Sequence, residues 1–184
     1  MRVFGIDPGS ERTGYGCIDT DGQRHRLVAC GAITVPARAP FPERLRLIHE
    51  GLCELLRECR PELVAIENLF HATNVQSALK LGHARGVAML AAVEAGLPIV
   101  EYTPAEVKRA VVGYGRAEKR QVAEMVRLLL DLDEVPSPYD AADALAVAIC
   151  HLHASTSAVT SAEASTRVPR SWRHWRPPSG TRPS

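Results

Sequence analysis

The sequence predicts an α/β protein: a mixed five-stranded sheet with helices on its faces. Three observations predict it. The chain opens with three strand-like runs on short, turn-rich connections, which imply antiparallel neighbours. Two later apolar runs, Leu63–Glu67 and Pro98–Tyr102, each follow a helix-length segment, so right-handed crossovers return them parallel to the first strand. Beyond Thr103 only helical periodicity remains, and those helices supply the cover.

The first strand, Arg2–Asp7, sets Val3, Phe4 and Ile6 before one carboxylate, Asp7. Pro8 and Gly9 then turn the chain, Pro by presetting φ and Gly by accepting positive φ. Asp-Pro-Gly is first of all a turn signature. Asp7 alone is therefore either a turn residue or an acid delivered to the strand's end. Thr13–Thr20 and Arg26–Val35, parted by Asp21–Gly22, complete a β-meander. The period then changes. Leu45, Ile48, Leu52, Leu55 and Leu56 fall at helical spacing until Pro61 stops the helix. Leu63–Glu67 reads as a buried strand ending on Glu67, and a long helix from Val75 to Glu94 is closed by Gly96 and Pro98.

Thr103, Pro104 and Glu106 form a helix-opening capping signature. Gly113 and Gly115 break that helix, and another runs from about Ala117 to Leu130. Ser137-Pro138-Tyr139-Asp140 repeats the signature and opens a last helix to about His153. The expected organisation is one domain over 1–153 and a disordered Ser/Thr/Pro/Arg-rich tail over 154–184, which cannot bury enough apolar surface to order itself.

A chain of 184 residues with 46% hydrophobic content is long enough for a real core. The net charge of +1 hides an asymmetry: to Cys150, 17 basic residues face 20 acidic ones, and beyond it five Arg face one Glu. Total charge therefore does not announce a nucleic-acid binder. Cysteines at 17, 30, 53, 59 and 150 are odd in number and lack C-x-x-C spacing, so they read as reduced thiols without a zinc site. The chain opens on a strand without a signal-peptide pattern, and no apolar run would span a bilayer, so the cytoplasm is expected.

If Leu63–Glu67 lies beside and parallel to Arg2–Asp7, the strands are roughly 4.8 Å apart, and Asp7 and Glu67 could share a cation at one sheet edge, where open α/β sheets place their sites. Asp140 and Asp143, three apart on the last helix, share a face largely away from its apolar stripe of Leu145, Ala148, Ile149 and Leu152. Ordinary explanations exist: Glu67 as a solvated strand end, Asp140 as a capping acid. Asp143 resists one, because it interrupts a small-residue apolar run where an unpaired buried charge is costly. Four acids without a basic partner nearby in sequence suggest hard oxygen ligands for Mg2+ or Mn2+.

The stretches G-I-D-P-G-S…T-G-Y-G, A-I-E-N-L-F, N-V-Q-S-A-L-K-L-G-H-A-R-G, V-V-G-Y-G-R-A-E-K and D-A-A-D-A-L-A-V-A-I resemble the RuvC family of bacterial Holliday-junction resolvases, in order, from residue 1 to about 153. The resemblance implies a ribonuclease H-like fold and a homodimeric, divalent-metal-dependent endonuclease that cuts four-way DNA junctions, leaving 5′-phosphate and 3′-hydroxyl ends. Asp7, Glu67, Asp140 and Asp143 match its metal-holding acids. One Mg2+, or Mn2+ in its place, would activate water and a second would stabilise the leaving 3′ oxygen. Lys119 matches a catalytic basic residue near the scissile phosphate, Lys108 another basic position lining the DNA path, and Phe70 an aromatic that stacks on an unpaired base. The RuvA–RuvB branch-migration complex is the implied protein partner.

Each assignment has a plainer counterpart. Both lysines suit solvated helix surfaces, and Phe70 could cap the core. Gly82, Ala84 and Gly86 serve either close packing on the sheet or, as the resemblance implies, a dimer. The tail, with Arg170, Trp172, Arg173, Trp175 and Arg176, lies outside the resemblance. Two rival functions remain. G-I-D-P-G-S also resembles the phosphate loop of actin-like ATPases and sugar kinases, but the chain is too short for their two lobes. A non-catalytic junction-binding protein would not need all four acids.

Overall fold

The structure, a computed structural model, describes residues 1–68 and 74–164, with side chains described to residue 155. Its strands are β1 (Arg2–Asp7), β2 (Arg12–Thr20), β3 (His25–Thr34), β4 (Leu63–Glu67) and β5 (Ile99–Tyr102). Its helices are α1 (Phe41–Cys59), α2 (Val75–Glu94), α3 (Pro104–Val112), α4 (Lys119–Leu129) and α5 (Tyr139–Ala164). The sheet order is β3-β2-β1-β4-β5. β1, β2 and β3 pair antiparallel, and β4 and β5 join parallel to β1. This is the expected meander plus two parallel strands, in the ribonuclease H-like arrangement.

Two apolar layers sandwich the sheet. Alternate residues of β1 divide between them: Val3 faces α3, α4 and α5, while Phe4 and Ile6 face α1 and α2. In the first layer, Leu145, Ile149 and Leu152 of α5 are fully or almost fully buried, sealed by Val107 and Val111 of α3 and Val122 and Val126 of α4. In the second, Ile48, Leu52 and Leu56 of α1 meet Ala88, Ala91 and Ala92 of α2. Thr103 caps α3 reciprocally with Glu106, as its sequence predicts.

Three expectations change. The turn after β1 needs glycine for space, not for φ: Gly9 is absent from the positive-φ positions, but a Cβ there would lie 2.1 Å from the Arg12 carbonyl oxygen. Gly82 and Gly86 do not pack on the sheet. A Cβ at either meets nothing within 4 Å, and Ala84 is the buried member of the three. Finally, α5 continues past His153 to Ala164, because an Ala/Ser/Thr run propagates a helix already nucleated by packing. From residue 165 onward the expected disordered tail lies outside the described residues.

Candidate active site

β1 and β4 run parallel with Ile6 level with Ile66, so both strands end together on Asp7 and Glu67. Their carboxyls lie close enough to shift each other's titration. Pro8 then takes β1 out of the ladder, since it has no N–H to donate. Thr13, fully buried, pins the turn: its hydroxyl donates to the Gly9 carbonyl at 2.8 Å and accepts the Gly9 N–H at 3.4 Å.

Asp7 is level with Gly14 on β2. A Cβ at Gly14 would stand 2.0 Å from the Asp140 carbonyl oxygen, one at Gly5 2.0 Å from that of Ala144, and one at Gly16 2.6 Å from the Leu145 side chain. These glycines form the floor on which α5 lies. They let the backbone of its first turns come against β1 and β2, and Asp140 and Asp143 arrive beside Asp7 and Glu67.

The electrostatics show the convergence. Burial first, then the charges of Glu67, Asp143 and Asp140, hold the Asp7 carboxyl well above the usual range, against the pull of Lys119. Glu67 is also pushed up, by burial and by Asp143, while its hydrogen bond with Asp7 and the charges of Lys119 and Lys108 draw it down. Lys119, the first residue of α4, donates from Nζ to Asp143 Oδ2 at 2.8 Å, and this bond raises its own pKa. Asp140 is the second residue of α5, where the capping reading had it third. Its carboxylate takes Arg12 Nη1 at 3.4 Å.

Four acids thus face Lys119 and Arg12, with Lys108 also acting on Glu67, and carboxyl oxygens outnumber the cations. Hard oxygens in surplus suit a divalent cation such as Mg2+. The acids converge without closing. The tightest trio of metal-capable donors among the described residues, within 4.8 Å of one another, lies on the α1–α2 layer instead.

Of the expected site residues, the structure brings together Asp7, Glu67, Asp140, Asp143 and Lys119, with half-buried Lys108 close enough to act on Glu67. Phe70 lies outside the described residues. Sequence reasoning missed Arg12, whose partner is 128 positions away. It also missed Asn68, which fixes the chain just past Glu67. Its N–H donates to the Tyr102 carbonyl at 2.7 Å and its Nδ2 to Glu101 Oε2 at 3.1 Å. Glu101 in turn holds Arg85 of α2 at 2.7 Å. The signal for Asn68 was its position directly after the strand-ending acid.

A sequence model of the family described as "Crossover junction endodeoxyribonuclease RuvC" matches residues 3–151. The Koribacter versatilis protein of that description is 55% identical over 158 residues, 85% of this chain and 95% of its own length. The Pelobacter propionicus protein, also so described, is 52% identical over 177 residues, 96% of this chain and all of its own, so that match reaches into the tail. Among solved structures, Thermus thermophilus RuvC in complex with Holliday junction substrate is 40% identical with a TM-score of 0.81, covering 86% of this chain and 96% of that one.

Proposed function

The chain belongs to the RuvC family of crossover junction endodeoxyribonucleases, and from that membership we propose that it resolves four-way DNA junctions by paired, symmetric nicks in homologous recombination and repair. The observation that carries the reading is the pairing of Asp7 with Glu67 at the ends of adjacent parallel strands, with Asp140 and Asp143 laid beside them by α5.

These four carboxylates would hold two Mg2+ ions, with Mn2+ as a substitute. Bound there, the metal supplies a nucleophilic water at neutral pH and stabilisation of the leaving 3′ oxygen. The chain's own residues do the rest. Asp7 and Glu67, fixed by two strands, set the position of the scissile phosphate relative to the sheet edge. Lys119 carries the cation nearest the acids, and its largely exposed side chain can leave Asp143 to meet charge building on the phosphate. Lys108 lines the DNA path beside Glu67. Phe70, two residues beyond Asn68, would stack on a base freed at the junction centre. Arg12 holds Asp140 in place.

Symmetric nicking needs two sites, and α2 offers the means. Val75, Leu79, Leu90 and Val93 are 77%, 59%, 50% and 62% exposed, with Gly82 and Gly86 between them at spacings of three and four. This outward stripe fits a second copy across a twofold axis, with the glycines at the closest approach. The catalytic unit is residues 1–153, with 154–184 outside it. The compartment is cytoplasmic, and no described helix is long and apolar enough to cross a membrane. The RuvA–RuvB complex would deliver the junction.

The test is Asp7→Asn on a synthetic four-way junction in Mg2+. Cleavage is expected to disappear while junction binding persists. Undiminished cleavage would overturn the assignment, and a wild-type chain that binds junctions without ever nicking them would establish the non-catalytic alternative. Saturable ATP binding without DNA would favour the ATPase.

A further inference from the structure

On the opposite layer from the acids, three side chains of another chemistry meet between α1 and α2. His49 Nε2 lies 2.9 Å from Glu94 Oε2, and Cys53 Sγ lies 3.7 Å from His49 Nε2 and 3.9 Å from its Nδ1. All three donor atoms fall within 4.8 Å of one another. His49 and Cys53 are i and i+4 on α1, hence on one face. Glu94 is the last residue of α2, at the end where the chain turns back into β5, opposite the edge that carries Glu67. The trio and the acids therefore sit at different ends of the sheet.

We propose that His49, Cys53 and Glu94 form a zinc-class metal site that ties α1 to α2. The donor set is one imidazole, one thiolate and one carboxylate, a mixture that suits a borderline-soft divalent ion such as Zn2+ and is poor for Mg2+. A tetrahedral ion with bonds of about 2.0–2.3 Å holds its ligand atoms roughly 3.3–3.6 Å apart. The His–Glu pair must open by about half an ångström to admit it, and the His–Cys pair must close slightly. Side-chain rotation suffices, because His49 and Cys53 are half-buried and Glu94 is exposed. Burial and the Glu94 charge hold the Cys53 thiol protonated, and coordination would deprotonate it.

The surroundings leave a fourth position open. Cys53 and Glu94 both line a groove of about 460 Å³ with Leu56, Ala91, Arg57 and Arg60. One water or small anion can complete the tetrahedron from that side. Sequence spacing did not disclose the site, because its third ligand comes from another helix, 41 positions beyond Cys53.

The test uses Co2+ as a spectroscopic stand-in, added to the full chain, freed of metal, in excess Mg2+. Excess Mg2+ competes for the carboxylate cluster, and Co2+ on oxygen ligands alone gives no thiolate band. The expected result is a near-ultraviolet thiolate-to-cobalt charge-transfer band saturating near one ion per chain and reversed by Zn2+. Cys53→Ser should remove the band, and Glu94→Gln should weaken binding at least tenfold while circular dichroism stays unchanged. Asp7→Asn should leave the band intact. Absence of the band in the wild type, or its survival in Cys53→Ser, would overturn the proposal. Zn2+ should also raise the thermal midpoint of the wild type and not that of Cys53→Ser; an equal rise in both would contradict the link between helices.

Discussion

The two helical layers of the sheet are built on opposite principles. The α3–α4–α5 layer is finished within one chain: α5 lies against Gly5, Gly14 and Gly16, and α3 and α4 seal its outer side. The α1–α2 layer is finished only on its inner side, and α2 turns a row of large apolar side chains outward. The acids Asp140 and Asp143 belong to the closed layer, where backbone contact fixes them. The open layer carries what another molecule would complete. The proposed phosphate chemistry would draw on the closed layer, and the proposed dimer on the open one.

The glycine floor should be the most sensitive part of the closed layer. Gly5→Ala puts a Cβ 2.0 Å from a carbonyl oxygen that belongs to a packed helix and cannot swing aside. We expect a loss of about 3 kcal/mol or more in denaturant unfolding, at the top of the range for overpacking. Nicking should fall with it, because α5 carries two of the acids. A change of smaller size tests the same layer at its edge. Thr103→Ala removes the hydroxyl that accepts the Glu106 N–H at 3.3 Å, and should cost about 1 kcal/mol. The open layer should respond in the reverse sense. Leu79→Glu should leave the unfolding of the single chain within about 0.5 kcal/mol, as for other surface changes. Sedimentation should nevertheless show the dimer lost. A large loss of stability with the dimer intact would erase the contrast between the layers.

The residues explain how much of this could be read beforehand. β1, β4 and α2 carry the bounds the sequence predicts, because their signals are local: an apolar run, a Pro or Gly stop, a period. The pairing of Asp7 with Glu67 is expected on the condition that β4 lies beside β1 and parallel to it, and the register that sets Ile6 level with Ile66 meets that condition. What escaped was whatever depends on approach in three dimensions. Gly14 reads as an ordinary strand glycine until α5 is laid over it. The resemblance places Lys119 near the scissile phosphate, but its bond to Asp143 needs α4 laid beside α5, and Arg12 reaches its acid only across the fold. Gly9 misled because a turn glycine usually signals φ, whereas here the constraint is a neighbouring carbonyl.

Asp7, Glu67, Asp140 and Asp143, as proposed, form one cluster crowded with negative charge that receives divalent metal. Thermal unfolding of the wild type and Asp7→Asn, with and without Mg2+, tests it most directly. Because the folded-state pKa of Asp7 is raised, its charge opposes folding at neutral pH, and this penalty vanishes below its ordinary value near 3.8. Metal-free Asp7→Asn should therefore melt above the wild type at pH 7, with the gap closing as the pH falls below about 4. Mg2+ should raise the wild-type midpoint and leave that of Asp7→Asn nearly unmoved. An Asp7→Asn chain less stable than the wild type at pH 7 without metal, or one that gains as much from Mg2+, would contradict the account.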